Sequence, residues 1–342
     1  MKASAFLLAA GFGTRLRPLT NHRPKPLVPL CGLPLADYSL ALLEAHGLKQ
    51  AVVNAHHLPD QIHAWAETHT FDLRVVTESP SILGTGGGLR NARDFLQERF
   101  VVVNGDILCD VNLTALLQQV NSFGQGPAGA MALREQKEDE SYGIVASDVG
   151  GCVVDLVGLA QATPAGQVDR STHFTGIHSL NQEALELVGE GEACIVRSAY
   201  CDLVPKRRVG ALKHAGLWVD LGNPQRYLAA NLGVLSGSLQ CELDPLFEAG
   251  WALSQSREGG HPGNISLNST ARLMAPFWIG EGAEIGPNSQ LGPGSIVGAK
   301  AHIGAGAKLR NCVVWDGVNV PPDSVLENCI VHDGGVLKVP NT

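Results

Sequence analysis

The chain has no excess of positive charge, no pair of cysteines at redox or zinc spacing, and no apolar run approaching the length of a membrane span. Lys and Arg number 25 against 33 Asp and Glu, a formal net charge of −8 over 342 residues. That balance argues against a nucleic-acid-binding surface, though not against a local cationic pocket. The eight cysteines are scattered and never stand as Cys-x-x-Cys, so they read as small buried hydrophobes in a reducing compartment. Met1-Lys2 and the small and apolar residues after it imitate the start of a secretory signal. The run is short, however, and leads directly into a loop rich in glycine and cations, so its removal would destroy a sheet. A cytoplasmic location is expected.

Two familiar glycine-loop signatures are missing as well. The opening stretch reads Leu8-Ala9-Ala10-Gly11-Phe12-Gly13-Thr14-Arg15-Leu16-Arg17-Pro18-Leu19-Thr20, followed by Arg23-Pro24-Lys25-Pro26-Leu27. A dinucleotide fingerprint needs a third Gly or Ala where Leu16 stands, and a P-loop needs Gly-Lys-Ser/Thr, which does not follow. What is present is a small, apolar run over residues 3–10, suited to a buried strand of a parallel sheet. Such a strand ends at the carboxyl edge, where α/β proteins bind ligands. There Gly11 and Gly13 let backbone N–H groups approach a phosphate, and Arg15 and Lys25 add fixed positive charge. Pro24 and Pro26 predict an extended, stiff segment around Lys25 rather than a regular helix. The stretch reads as an anion-binding loop with cations built in.

Gly-x-Gly-Thr-Arg-Leu-x-Pro-Leu-Thr with a downstream Pro-Lys-Pro-Leu closely resembles the signature of the sugar-1-phosphate nucleotidylyltransferases. The resemblance implies nucleotide contacts from Leu8, Ala10, Gly11, Gly13, Thr14 and Arg15, with Arg15 and Lys25 catalytic. A second glycine-rich segment, Glu78-Ser79-Pro80-Ser81-Ile82-Leu83-Gly84-Thr85-Gly86-Gly87-Gly88, resembles the family's other nucleotide-contacting turn and implies roles for Glu78, Gly84 and Thr85. A carboxylate at Glu78 could accept from the edge of guanine. Helix capping explains Glu78 equally well, and tight packing explains the glycines equally well.

Between and after these segments the chain alternates. A helix is expected over 36–46, a strand over 51–54, a helix over 60–68 and a strand over 73–76, the pattern of a doubly wound sheet. His56 and His57 read as loop residues rather than ligands. Four apolar residues at 100–103 lead to Asn104-Gly105-Asp106, which places Asp106 at the carboxyl end of a central strand. A carboxylate there suits Mg²⁺, which binds one or two carboxylates plus phosphate oxygens; a plain turn is the alternative. Residues 129–181 look strand-rich, and Tyr142-Gly143 and Phe174-Thr175-Gly176 resemble the family's sugar-pocket strands, implying sugar contacts from Asn104, Gly143 and Thr175. The chain departs from the family in lacking Glu-Lys-Pro between them; Leu159-Ala160-Gln161-Ala162-Thr163-Pro164 stands there instead. Arg197, Lys206, Arg207, Arg208 and Lys213 are the other cations at hand. Trp218-Val219-Asp220-Leu221-Gly222-Asn223-Pro224 then resembles the family's Trp-x-Asp-x-Gly-x-Pro closure, implying that Asp220 is a second metal ligand beside Asp106. Asn223 should cap a helix with Pro224 in its first turn.

Near the end a repeat begins. Ile279, Ile285, Leu291, Val297, Ile303 and Leu309 recur at six-residue spacing, each followed by Gly except at Arg310. This is the hexapeptide signature of a parallel β-helix, and its phase slips by one near Val313. The expected fold is therefore α/β. A Rossmann-like mixed-sheet nucleotidyltransferase domain fills 1–233, a linker 234–275, and a short β-helix, left-handed as in the family, 276–342. So short a repeat should dock or oligomerise, and a homo-oligomer is expected. A chain ending near Gly260 should retain a folded catalytic part.

The resemblance implies transfer of a nucleotidyl group from an NTP to a sugar 1-phosphate with Mg²⁺, giving NDP-sugar and pyrophosphate. The layout is most similar to mannose-1-phosphate guanylyltransferases, favouring GTP. The absent Glu-Lys-Pro and the Asn-Gly-Asp wording are more similar to N-acetylmuramate-1-phosphate uridylyltransferases. A non-catalytic homologue would be expected to lose Arg15, Lys25, Asp106 or Asp220, and all four are present. An acyltransferase using His302 or His332 is a further alternative, disfavoured by the short repeat. No nucleic-acid or membrane partner is expected.

Overall fold

The structure, a computed structural model, describes residues 2–239 and 264–340. The chain divides into two compact units that do not follow sequence order. The first comprises Met1–Phe12, Leu42–Gly105 and Cys109–Trp218; the second comprises Gly13–Ala41, Asp106–Leu108 and Val219–Thr342.

The first unit is built on a seven-stranded sheet. Across the sheet its strands run Val209–His214, Gly129–Glu135, Thr172–Asn181, Leu96–Asn104, Ala3–Leu8, Gln50–Ala55, Asp72–Thr77. Thr172–Asn181 is antiparallel to both its neighbours, and every other pairing is parallel. The remaining strands therefore send their carboxyl ends to one edge. The apolar runs that predicted buried strands are buried: Phe6, Leu7, Val52, Val53 and residues 101–103 are each 0% exposed. Helices Pro59–Glu67 and Leu113–Ser122 turn apolar faces inward, with Ile62 and Trp65 on one and Leu113, Leu116 and Val120 on the other. A smaller antiparallel sheet joins Ala160–Gln161, Val153–Leu156, Val145–Asp148 and Val168–Asp169. The strand expected from Tyr142 starts only at Val145, because Ile144 makes an isolated bridge to His173 instead.

In the second unit, short strands stack in parallel at an offset that reports the repeat. Ser266↔Glu284↔His302 and Arg272↔Gln290↔Lys308 each step by eighteen residues, as three hexads require. From Val297↔Val314 onward the step is seventeen, which is the phase slip seen in the sequence. One edge of each later coil is a residue shorter, and Asn311 and Asn328 turn there with φ of +50° and +53°. Their side chains hydrogen-bond at 3.2 Å. The aliphatic rows form the core of the stack: Ile279, Leu291, Val297 and Ile303 are 0% exposed. The glycine after each is demanded by close approach rather than by torsion. A Cβ at Gly280, Gly298 or Gly304 would lie 2.5 Å from a backbone nitrogen of the next coil.

Most of the expected linker, 240–263, lies outside the described residues, as do Cys241 and Gly260. Residues 234–236 close the helix Pro224–Ser236, and among the described residues the first stacked strand is Ser266–Leu267. The extended segment expected around Lys25 is instead a single 3₁₀ turn, Lys25–Leu27. Pro26 sits in its first turn, where no N–H is needed and a fixed φ suits the helix; the extended residues are those that flank the turn, Pro24 with ψ 145° and Val28 with ψ 128°.

Candidate active site

The first unit holds the nucleotide-loop residues up to Phe12 and the whole second glycine-rich turn. As Ala3–Leu8 leaves the sheet, Ala9 N–H donates to Asn54 Oδ1 at 2.7 Å. Asn54 Nδ2 donates to Glu78 Oε1, and Leu83 N–H donates to Glu78 Oε2, each at 2.7 Å. Glu78 is 2% exposed, and both its oxygens are engaged within the protein. Glu78 thus holds Leu83, the residue that precedes helix Gly84–Asn91. Asn54 ties three strand ends together and was not singled out in the sequence. Its position at the end of a buried strand, like that of Asp106, was the available signal.

Helix Gly84–Asn91 is glycine-rich because it lies against residues 191–195. Gly86 N–H and Gly87 N–H donate to Ala193 O, and a Cβ on Gly84 or Gly87 would meet Ala193 O at 2.8 Å or Gly191 O at 2.1 Å. Thr85 Oγ1 accepts from Ile195 N–H at 3.1 Å. Gly11 differs: a Cβ there would meet nothing within 4 Å.

Among the sugar-pocket candidates, Asn104 ends its strand beside Leu8 and is half-buried. Thr175 is 1% exposed; its hydroxyl donates to Ala132 O and its carbonyl accepts from Trp218 Nε1–H, both at 2.9 Å. Gly143 packs on Val157, whose Cγ1 would lie 2.7 Å from an added Cβ. Beside them is a cluster that sequence reasoning missed. Arg134 Nη1 donates to both Glu140 oxygens at 3.0 and 2.8 Å, and its guanidinium lies 5.3 Å from the Trp218 ring. Tyr142 stacks on His173 at 4.6 Å. Burial raises the Glu140 carboxyl, but the Lys137 N–H and Arg134 outweigh it and hold the pKa below the usual value. Burial lowers the His173 pKa. Arg134 sits at the carboxyl end of its strand, which was the signal available.

Three of the cations considered as substitutes for the missing lysine are committed elsewhere. Arg207 pairs with Asp148 at 2.7 Å, Lys213 with Asp169 at 2.5 Å, and Arg208 donates to the carbonyls of Phe123, Gln125, Gly126 and Pro127.

The second unit gathers the charged candidates. Gly13 takes φ +60°, and its carbonyl accepts from Thr20 Oγ1 at 2.9 Å. An added Cβ would sit 2.8 Å from Thr20 Cγ2 and 3.1 Å from Lys25 Cβ, so Gly13 is fixed by both torsion and space. Thr14 and Arg15 follow on an exposed 3₁₀ turn. Lys25 is 6% exposed, and its Nζ lies 2.5 Å from Asp106 Oδ2 and 4.0 Å from Asp220 Oδ1. The strands Ile107–Cys109 and Trp218–Asp220 pair, which holds the two aspartates at adjacent strand ends. Arg226 Nη1 lies 3.2 Å from Asp220 Oδ2. No local sequence pattern marks Arg226, which stands here because Asn223 caps the helix by accepting from Arg226 N–H at 2.9 Å. Gly222 leaves the space this needs: a Cβ there would lie 2.9 Å from Asp220 Oδ1 and 3.3 Å from the Arg15 guanidinium carbon.

Two carboxylates thus converge on one cationic point, with Arg15 and Arg226 beside Asp220. Oxygen-only donors of this kind fit a hard divalent cation, which usually takes one or two protein carboxylates together with substrate phosphates. No group of three or more potential metal-ligating side chains occurs among the described residues.

The family description "Nucleotidyl transferase" matches residues 4–237, and "GMPPB C-terminal domain" matches residues 273–338. The chain is 28% identical over 349 residues to a UTP--glucose-1-phosphate uridylyltransferase of Synechocystis, covering 96% of this chain and 86% of that protein. It is 28% identical to the mannose-1-phosphate guanylyltransferase catalytic subunit beta of Drosophila pseudoobscura pseudoobscura, over 82% of this chain and 71% of that one. The mannose-1-phosphate guanylyltransferase of Mycobacterium tuberculosis is 26% identical, over 95% and 83% respectively. Crystal structures of HddC from Yersinia pseudotuberculosis share the fold of two thirds of the chain. One of them, a complex with GMP-PN, has TM-score 0.53 at 21% identity, covering 67% of this chain and 98% of that one. The match over 4–237 spans the loop, both aspartates and the capped helix after them, and the chain belongs to the nucleotidyl transferase family.

Proposed function

We propose that the protein transfers a nucleotidyl group from a nucleoside triphosphate to a sugar 1-phosphate, releasing pyrophosphate, and that it is a mannose-1-phosphate guanylyltransferase. The convergence of Lys25, Asp106 and Asp220 carries the reading of the chemistry. The sugar-phosphate oxygen attacks the α-phosphorus in line and pyrophosphate leaves, without a covalent enzyme intermediate. The chain's part is positioning and charge stabilisation. Backbone N–H groups around Gly11 and Gly13 face the phosphates, and the open space at Gly11 leaves room for their approach. Arg15 and Lys25 hold the phosphate oxygens as charge shifts to the leaving group. Asp106 and Asp220 would hold Mg²⁺, which when bound supplies charge neutralisation at the phosphates. Asn104, Gly143 and Thr175 border the sugar. Arg134, paired with Glu140 and 5.3 Å from the Trp218 ring, is read as the cation that serves the sugar phosphate where the family's lysine is absent.

The relatives named as mannose-1-phosphate guanylyltransferases and the C-terminal match support GTP and mannose 1-phosphate. A uridylyltransferase acting on another sugar 1-phosphate is the second reading, supported by the Synechocystis relative. The three columns of parallel strands are read as a left-handed β-helix that supports homo-oligomerisation. The protein is read as cytoplasmic; among the described residues no helix is long and apolar enough to cross a membrane. Pyrophosphate release from the four NTPs crossed with several hexose 1-phosphates tests the assignment. GTP with mannose 1-phosphate should give the highest kcat/KM; a best rate with UTP would transfer the assignment to the second reading, and no release from any pair would overturn both.

A further inference from the structure

Two tryptophans of the stacked strands, Trp278 and Trp315, lie against the stretch that carries Lys25. Trp278 fills the space over Gly32, whose φ is +82°; a Cβ there would come within 2.3 Å of its ring. Trp315 is 1% exposed and reaches the stretch twice. Its ring lies under the Arg23 guanidinium, 4.6 Å from the centroid, and Arg23 also pairs with Asp333 at 3.4 Å. Its indole Nε1–H donates to Tyr227 Oη at 3.0 Å, and the Tyr227 hydroxyl donates in turn to Pro29 O. One turn further along the same helix, Asn231 Oδ1 accepts from Cys31 N–H at 2.8 Å. The stretch is therefore held by the Arg23 side chain two residues before Lys25 and by the Pro29 carbonyl four residues after it. Lys25 itself is a short 3₁₀ turn with a proline on each side, so it has little freedom to adjust if either flank shifts.

We propose that Trp315 is a positioning residue for Lys25, acting through Arg23 and through the Tyr227–Pro29 relay, so that the repeat region sets the lysine's place in the reaction. The inference rests on the reading of Lys25 given above. Trp315→Phe keeps a ring under Arg23 and removes the indole N–H, whereas Tyr227→Phe removes the hydroxyl that passes the contact on. Each should lower kcat about tenfold to a hundredfold, as small misplacements of a catalytic group do, with a smaller change in KM. Trp315→Ala should be more severe than Trp315→Phe. The decisive measurement is the double variant. In a Lys25→Ala background, Trp315→Phe and Tyr227→Phe should each cause no further loss, whereas a merely structural defect would add to it. Labelling of the ligand-free protein with an amine-reactive reagent, read by peptide mass spectrometry, gives a test independent of turnover. Lys25 should react several-fold faster in Trp315→Phe and Tyr227→Phe than in the wild type, relative to the exposed Lys213. Unchanged Lys25 labelling in both variants, or additive losses in the Lys25→Ala background, would overturn the proposal. If the wild type transfers no nucleotidyl group, the functional reading fails and the labelling comparison still decides this one. If Trp315→Phe does not fold, Tyr227→Phe alone carries both measurements.

Discussion

Asp106 and Asp220 share one cation, Lys25, from adjacent strand ends. Replacing either by Asn removes charge and keeps shape, so turnover should fall by about a hundredfold or more with little change in melting temperature. Activity retained in Asp106→Asn or Asp220→Asn at saturating Mg²⁺ would remove that residue from the site. Lys25→Ala should weaken substrate binding and turnover far more than Arg17→Ala, since Arg17 is exposed at the end of its turn while Lys25 is buried between carboxylates. Steady-state kinetics on both variants will show the order. A residue away from the site gives a pH signature. His178 is 1% exposed, with Nδ1 2.7 Å from Tyr200 Oη, and burial lowers its pKa from 6.5 to about 3. The folded state keeps it neutral while the unfolded chain protonates it. Its contribution is complete above pH 6.5 and is lost as pH falls from there towards about 3. The melting temperature should decline across that window, and less steeply in His178→Gln, which keeps a hydrogen-bonding side chain but does not titrate.

At the level of elements, strand and helix existence was readable from short apolar runs and their caps. Residues 100–103 form part of Leu96–Asn104, and Asn223 caps Pro224–Ser236 as its position before Pro224 implied. The glycine-rich segment after Glu78 was recognisable as the start of a helix, but its partner was not. Gly84, Gly86 and Gly87 face residues 191–195, more than a hundred positions away, and nothing local records that. The hexad glycines make a sharper case, because each meets the backbone of the following coil. Gly298→Ala would place a Cβ 2.5 Å from Asp316 N, with backbone that has little room to yield. It should lower the melting temperature by several degrees, whereas Gly317→Ala, with open space but φ +67°, should cost only the strain of its torsion. Differential scanning calorimetry on the pair would separate close approach from torsion.

For the molecule as a whole, linear order suggested a catalytic part followed by a detachable repeat. The contacts group the chain otherwise: the Lys25 stretch, Asp106 and Asp220 belong with the stacked strands. The reason is burial. Trp315 is among the largest fully buried side chains, and its partners Tyr227 and Arg23 precede the repeat by many residues. A chain ending before the first stacked strand would expose Tyr227 and free Arg23 from both its ring and Asp333. Such a chain should retain the first unit's sheet by circular dichroism and lose most of its nucleotidyl transfer, which a pyrophosphate assay on the same sample would show. Full activity in the shortened protein would mean that the stacked strands serve association alone.

By itself the sequence determined the features that depend on neighbours in the chain. These are the glycine loop with its cations, a carboxylate at the end of each of two apolar strands, a capped helix after the second, and the six-residue register of the repeat including its slip. Each follows from periodicity, turn chemistry or steric exclusion over a few residues. Only tertiary structure decided what those features do to one another. Lys25 meets Asp106 across 81 positions and Trp315 meets Tyr227 across 88, and both meetings follow from strand order and coil stacking. The partners of Glu78 are likewise decided by the fold: Asn54 and Leu83 N–H, brought to it by adjacent parallel strands and a tight helix start, donate to its two oxygens. Long-range pairing is set by the packing of whole elements, and no local pattern carries it.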